Sequence, residues 1–120
     1  VLRYDKVTHP KVFLMLDKIS FYNDIPNDSK QEIFFEILKK KNIRIEKIVS
    51  NGQKSPKDFW YCQEEHEFVM VLKGSAILEF EDQTLNLNEG DAVNIPAFKK
   101  HKVQQTNKEQ PTIWLAVFYQ

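Results

Sequence analysis

The sequence predicts an all-β fold, a sandwich or barrel of short antiparallel strands with one short helix near the N-terminus. Three observations lead there. From Asn42 onward apolar residues recur with a period of two, the spacing of a half-buried strand. Turn residues interrupt that pattern every eight to twelve positions. No alternation of strand and helix follows, so a parallel sheet is not expected. The chain has 120 residues, which suits one domain with a core of its own.

In chain order, residues 1–27 form an N-terminal segment. The chain starts at Val1, and residues 1–14 stay open between an extension, an appended remnant and an edge strand. A flanking helix is expected over residues 28–41. Ser29-Lys30-Gln31-Glu32 reads as a capping box, with Asp28 as the alternative cap. Ile33, Phe34, Ile37 and Leu38 follow as an apolar stripe at helical spacing. Lys39, Lys40 and Lys41 suit the negative end of a helix dipole and read as a solvated helix end.

The barrel is assigned to residues 42–120. Ile43 and Ile45 alternate with Arg44 and Glu46, and Ser50-Asn51-Gly52 turns the chain. Phe59-Trp60-Tyr61-Cys62 has the aromatic weight of a strand. Between Glu67 and Lys73 both faces are apolar, as in a central strand between two layers. Ala76, Leu78 and Phe80 resume the alternation after Gly74. Glu81-Asp82-Gln83 and Asn88-Glu89-Gly90-Asp91 are turns, and the apolar run Ile113 to Tyr119 closes the chain.

Composition narrows the function. Seventeen basic side chains balance seventeen acidic ones, which argues against a coat for nucleic acid or an anionic membrane. No apolar run is long enough to span a bilayer as a helix. The single cysteine, Cys62, excludes an intrachain disulfide and suits a reducing cytoplasm. Cys62 is expected to be a small buried hydrophobe. Trp60, Phe80, Trp114 and Phe118 are expected in the core.

The segment from Glu67 to His101 resembles the cupin family. Glu67 and Gly74 have the glutamate-to-glycine spacing of the first cupin motif. Gly90, Pro96 and His101 match the second, with Phe98 where a turn glycine commonly sits. Phe59-Trp60-Tyr61, Val71-Leu72-Lys73-Gly74 and Ile113-Trp114-Leu115-Ala116-Val117 are similar to small stand-alone bacterial cupins. The resemblance implies a double-stranded β-helix, jelly-roll-like, with a pocket inside the barrel. It also implies a homodimer, with the last strand and the N-terminal segment as candidates to cross between subunits.

Cupins bind iron, manganese, zinc or nickel through three histidines and a glutamate. Here the first-motif histidine positions fall at Tyr61 and Gln63, or at Trp60 and Cys62. His66 is adjacent to Glu67 and points to the other face of a regular strand. That leaves Gln63, Glu67 and His101 as a candidate set for a divalent metal (manganese, iron, nickel or zinc), with Tyr61 sharing their face. The alternative is a metal-free pair in which Glu67 and His101 satisfy each other. Lys99, Lys100 and Lys102 read as rim charge, able to draw an anion to the pocket mouth.

Three functions follow from this set. The first is a module that binds a small molecule through Tyr61, Gln63, Glu67 and His101, with or without a metal. The second is a metal-dependent oxygenase, isomerase or lyase. The third is a metal-free barrel serving as a scaffold for a partner.

Overall fold

The structure is a computed structural model, and it describes residues 15–120. The expected extension over residues 1–14 lies outside the described residues. The described residues form eight strands: β1 (Ile33–Lys40), β2 (Ile43–Ser50), β3 (His66–Lys73), β4 (Ala76–Phe80), β5 (Thr84–Leu87), β6 (Ala92–Ile95), β7 (His101–Thr106) and β8 (Thr112–Tyr119). They form a five-stranded sheet, β1-β2-β8-β3-β6, and a three-stranded sheet, β5-β4-β7. Every strand pairing is antiparallel. The all-β prediction holds in this architecture. No helix of the described residues is long and apolar enough to cross a membrane.

The flanking helix is a correction, because residues 33–40 are a strand. Ser29 makes a local turn instead of a cap: its hydroxyl donates to the Gln31 carbonyl at 2.6 Å. Ile33, Phe35 and Ile37 are half-buried while Phe34, Glu36 and Leu38 are exposed, the alternation of a strand. Lys41 and Asn42 join β1 to β2, with Lys40 opposite Ile43. Hydrogen-bonding to β2 satisfies the backbone of this segment, and that tertiary gain overrides its helical spacing.

The sheets face each other over a core of Ile48, Val69, Val71, Ala76, Leu78, Phe80, Leu87, Ile95, Trp114, Ala116 and Phe118. Trp114, Phe80 and Phe118 are core residues as expected, but Trp60 is only half-buried. In β3 the inward face is Val69 and Val71, while Phe68, Met70 and Leu72 are half-buried. The residue 15–32 segment reaches that sheet: Tyr22 Oη donates to the Leu72 carbonyl at 3.2 Å, and Lys47 Nζ to the Asn23 carbonyl at 3.1 Å.

Residues 59–62 do not form the strand expected of them. Tyr61 makes a single antiparallel bridge with His101. Further along the same edge Ser55 N donates to the Val103 carbonyl at 2.8 Å. Thr106 Oγ1 donates to the Gln53 carbonyl at 2.6 Å. The 51–65 connection thus covers the open side of β7 and brings Tyr61 and Gln63 to the barrel interior.

Two backbone positions fix the turns. Gly74 has φ +89, and a Cβ there would stand 2.5 Å from Thr112 Oγ1 and 2.8 Å from Thr112 Cα, so only glycine fits. Phe98 has φ 65, the left-handed conformation that the glycine of similar turns would adopt without strain.

Candidate functional site

The site forms where the two sheets approach each other. Glu67 lies in β3, opposite Ile95 of β6 on one side and Phe118 of β8 on the other. His101 is the first residue of β7, opposite Phe80 of β4 and bridged to Tyr61. Glu67 therefore projects from the larger sheet and His101 from the smaller. His101 Nε2 stands 3.6 Å from Glu67 Oε1, an ion-pair distance longer than a hydrogen bond. Both side chains are largely shielded from water, at 8% and 14% exposure.

His101 is held on its other sides as well. Nδ1 lies 3.0 Å from the Lys99 carbonyl, which can only accept, so Nδ1 carries a proton. The Tyr61 ring stacks on the imidazole with centroids 5.9 Å apart, and the Phe80 ring is tilted against it at 6.2 Å. Burial disfavours the imidazolium, but the Glu67 contact, the Lys99 carbonyl and the Glu67 charge outweigh it and raise the His101 pKa. With Nδ1–H fixed, a neutral ring would point the Nε2 lone pair at a carboxylate. Contact with Glu67 therefore favours the protonated ring.

Gln63 completes this polar wall, donating from Nε2 to Glu67 Oε1 at 3.0 Å. Its backbone carbonyl accepts from Phe98 N at 2.8 Å, which ties it to the turn after Pro96. Oε1 of Glu67 is thus doubly engaged, and Oε2 has no hydrogen bond among the described residues.

These groups line one side of a cavity of about 180 Å³. The remaining walls are mainly apolar: Ile48, Val69, Leu78, Ile95, Val103, Trp114 and Phe118. All four residues expected at the site, Tyr61, Gln63, Glu67 and His101, line this cavity. Two lining residues, Glu32 and Phe34, were assigned by sequence to the flanking helix. They reach the cavity because their segment leads into β1. The local sequence of Glu32 gave only a capping signal. Its Oε2 accepts from Ser50 Oγ at 2.6 Å, and Ser50 Oγ accepts from Trp114 Nε1 at 3.0 Å.

His66, Cys62, Lys99 and Lys102, also singled out in the sequence, lie outside the cavity. His66 faces outward, where Nδ1 accepts from Ala97 N at 2.9 Å and the ring packs on Tyr119 at 5.0 Å. Cys62 is exposed, which corrects the expectation of a buried thiol. Lys99 pairs with Asp82 at 3.1 Å. Lys102 lies 3.9 Å from Glu79 and 4.6 Å from the Trp60 ring centroid. Lys99 and Lys102 are thus matched by carboxylates outside the cavity, and no lysine or arginine lines it.

A resident metal does not fit this donor set. Among the described residues no three His, Cys, Asp or Glu side chains converge on a common point. Gln63 directs its amide nitrogen, a donor, at Glu67, and Tyr61 stacks on His101. Of the candidate set only Glu67 and His101 remain as metal donors, and they face each other as an ion pair.

Two facing antiparallel sheets with a pocket between them define a small jelly-roll barrel. The cupin-domain family model matches residues 48–118, and the chain belongs to the cupin family. A protein of Ralstonia eutropha JMP134, provisionally named a mannose-6-phosphate isomerase, is similar at 39% identity, with a TM-score of 0.84 over 86% of this chain and 97% of that one. The conserved SPY1581 protein of unknown function from Streptococcus pyogenes shares the fold at 16% identity, TM-score 0.68, over 97% of this chain and 92% of that one. The polyketide cyclase RemF of Streptomyces resistomycificus does so at 19% identity, TM-score 0.67, over 88% and 80%. No curated protein matches the sequence.

Proposed function

We propose that this protein binds a small organic molecule in the barrel cavity without a resident metal. Glu67, His101 and Gln63 orient the polar end of that molecule, and Tyr61 covers it. The supporting observation is the convergence of these three groups on one wall of an otherwise apolar cavity, the usual composition of a ligand site. A cavity of about 180 Å³ is close to the roughly 150 Å³ known to accept benzene in another protein, so the occupant is about one substituted ring in size.

An isomerase reading draws on the name of the Ralstonia protein and on the proximity of Glu67 and His101. That pair has the makings of a general acid–base couple. A sugar phosphate is a poor match to this wall, because the lining holds two carboxylates and no lysine or arginine. Self-association is part of the proposal. It is supported by β1, an edge strand of the larger sheet with Phe34 and Leu38 exposed. A cytoplasmic setting fits the exposed free Cys62.

The test of binding is titration with a neutral ring probe, benzyl alcohol, followed through the indole N–H resonance of Trp114. Saturable shifts are expected in the wild type and not in Val103→Phe, which fills the cavity from a half-buried wall. Unchanged Trp114 and His101 resonances at millimolar probe would overturn the proposal. Light scattering showing a monomer at all concentrations would remove the dimer.

A further inference from the structure

The cavity carries an imbalance of charge. Two carboxylates line it, Glu32 and Glu67, against one ionisable base, His101. Glu67 is matched by His101 at 3.6 Å and by the Gln63 amide at 3.0 Å. Glu32 has no ion pair among the described residues. Its one hydrogen bond is to the Ser50 hydroxyl, at Oε2, which leaves Oε1 free.

The positioning of Glu32 is built into the core. Ser50 and Thr112 face each other across β2 and β8, and Ser50 is fully buried. The Ser50 hydroxyl accepts from the Trp114 indole N–H and donates its own O–H to Glu32, so its direction is fixed. Trp114 is only 4% exposed. A buried tryptophan and a buried serine thus hold a carboxylate at the cavity edge, where an apolar side chain in their place would cost less to pack.

Aromatic rings line the cavity as well. Phe34, Tyr61, Trp114 and Phe118 all line the same cavity. Ring faces attract cations, and a carboxylate among them strengthens the attraction. Lysines and arginines, which would supply the countercharge internally, do not line it. We infer that the ligand supplies it: the cavity selects a small organic cation, a protonated amine on an apolar body of about one ring, with Glu32 as the residue that sets the preference for charge. This rests on the small-molecule reading above and adds the class of ligand to it.

Three probes of one shape separate the possibilities: benzylamine (a cation at pH 7), benzyl alcohol (neutral) and benzoate (an anion). Binding is measured by calorimetry and by the Trp114 indole resonance on the full chain. In the wild type the amine should bind at least about tenfold tighter than the alcohol, as a charge-assisted contact requires, and benzoate should bind more weakly than either. Glu32→Gln keeps the Ser50 hydrogen bond and should erase the amine's advantage while leaving alcohol affinity within about twofold. If the alcohol binds as tightly as the amine in the wild type, the cation preference is wrong and the pocket reading survives. If the amine's advantage persists in Glu32→Gln, the assignment to Glu32 is overturned. If none of the three binds, both the inference and the small-molecule reading fall. Because the wild-type ranking decides the class by itself, a poorly folded variant does not shield the inference.

Discussion

Replacing Glu67 with leucine should reverse the direction of the His101 titration. In the wild type burial pushes the imidazole toward neutrality, while the Glu67 contact, the Lys99 carbonyl and the Glu67 charge pull the other way and win. Burial is the largest single influence on this ring, so the Lys99 carbonyl alone cannot offset it. Leucine has a similar volume, and it removes both the contact and the charge. The His101 pKa should therefore fall from above its ordinary value of about 6.5 to below it.

The consequence for stability follows from linkage. At 3.6 Å and an effective dielectric of about 20, the gross attraction of the pair is roughly 5 kcal/mol. Removing two charges from water costs several kcal/mol per ion, so desolvation cancels most of that attraction and the net contribution is small. With a raised folded pKa, that contribution is fully present below about pH 6.5 and is lost as pH rises through the folded value. In Glu67→Leu the sign inverts. Stability is then highest above about pH 6.5 and declines as pH falls through the lowered folded pKa, because the unfolded chain binds the proton more readily.

The assay is a carbon-resolved NMR titration of the His101 ring, in a chain with only three histidines, paired with urea unfolding at pH 5.5 and pH 8. The wild type should be the more stable of the two proteins at the lower pH, and the gap should narrow at the higher. A His101 titration that stays above the ordinary value in Glu67→Leu would refute the pairing as the cause of the shift.

Backbone and metal predictions complete the set. Gly74→Ala should lower stability by roughly 2–4 kcal/mol in urea melts, since it combines a positive φ with a Cβ 2.8 Å from the Thr112 backbone; a loss under about 0.5 kcal/mol would contradict that geometry. Phe98→Gly should raise stability by about 0.5–1 kcal/mol, because relief of left-handed strain outweighs glycine's entropy and the 66% exposed ring forfeits little burial; a lower melting temperature would refute it. The double variant Tyr61→His and Gln63→His places two imidazoles in the cavity with Glu67 and His101 and should bind manganese or zinc near one per chain. Elemental analysis of variant and wild type after metal incubation and dialysis checks this, and an equal metal content in both would refute it.

The barrel was legible from residue 42 onward because each strand there carries its own local signal. Ala76, Leu78 and Phe80 alternate, the turn at residues 81–83 follows, and Asn88 to Asp91 closes on itself through hydrogen bonds. β1 lacked such a signal. Ile33-Phe34-Phe35-Glu36-Ile37-Leu38 is apolar at both the helical and the strand period, and the lysines after it fit a helix end or an edge strand equally. What decides between them is the register with β2, Ile33 opposite Val49 and Lys40 opposite Ile43, and that pairing is absent from any local window. Phe59 to Cys62 failed for the converse reason. Their residue types favour a strand, but the only ladder partner they find is His101.

The site divides along the same line. Glu67 and His101 could be found because motif spacing places them, and Tyr61 and Gln63 because they stand where the motif has histidines. Glu32 could not, since its role comes from Ser50, 18 positions away, and from Trp114, a further 64 beyond Ser50. Its exclusion from the motif is itself informative. A site that had only lost two metal-binding imidazoles would keep Glu67 and His101 as a neutralised pair and need no second carboxylate. Here a buried serine hydroxyl and a tryptophan indole satisfy each other and at the same time hold Glu32 at the cavity edge. On the ligand proposed above, the charge of Glu32, which His101 does not balance, is what would set recognition in this cavity apart from metal coordination.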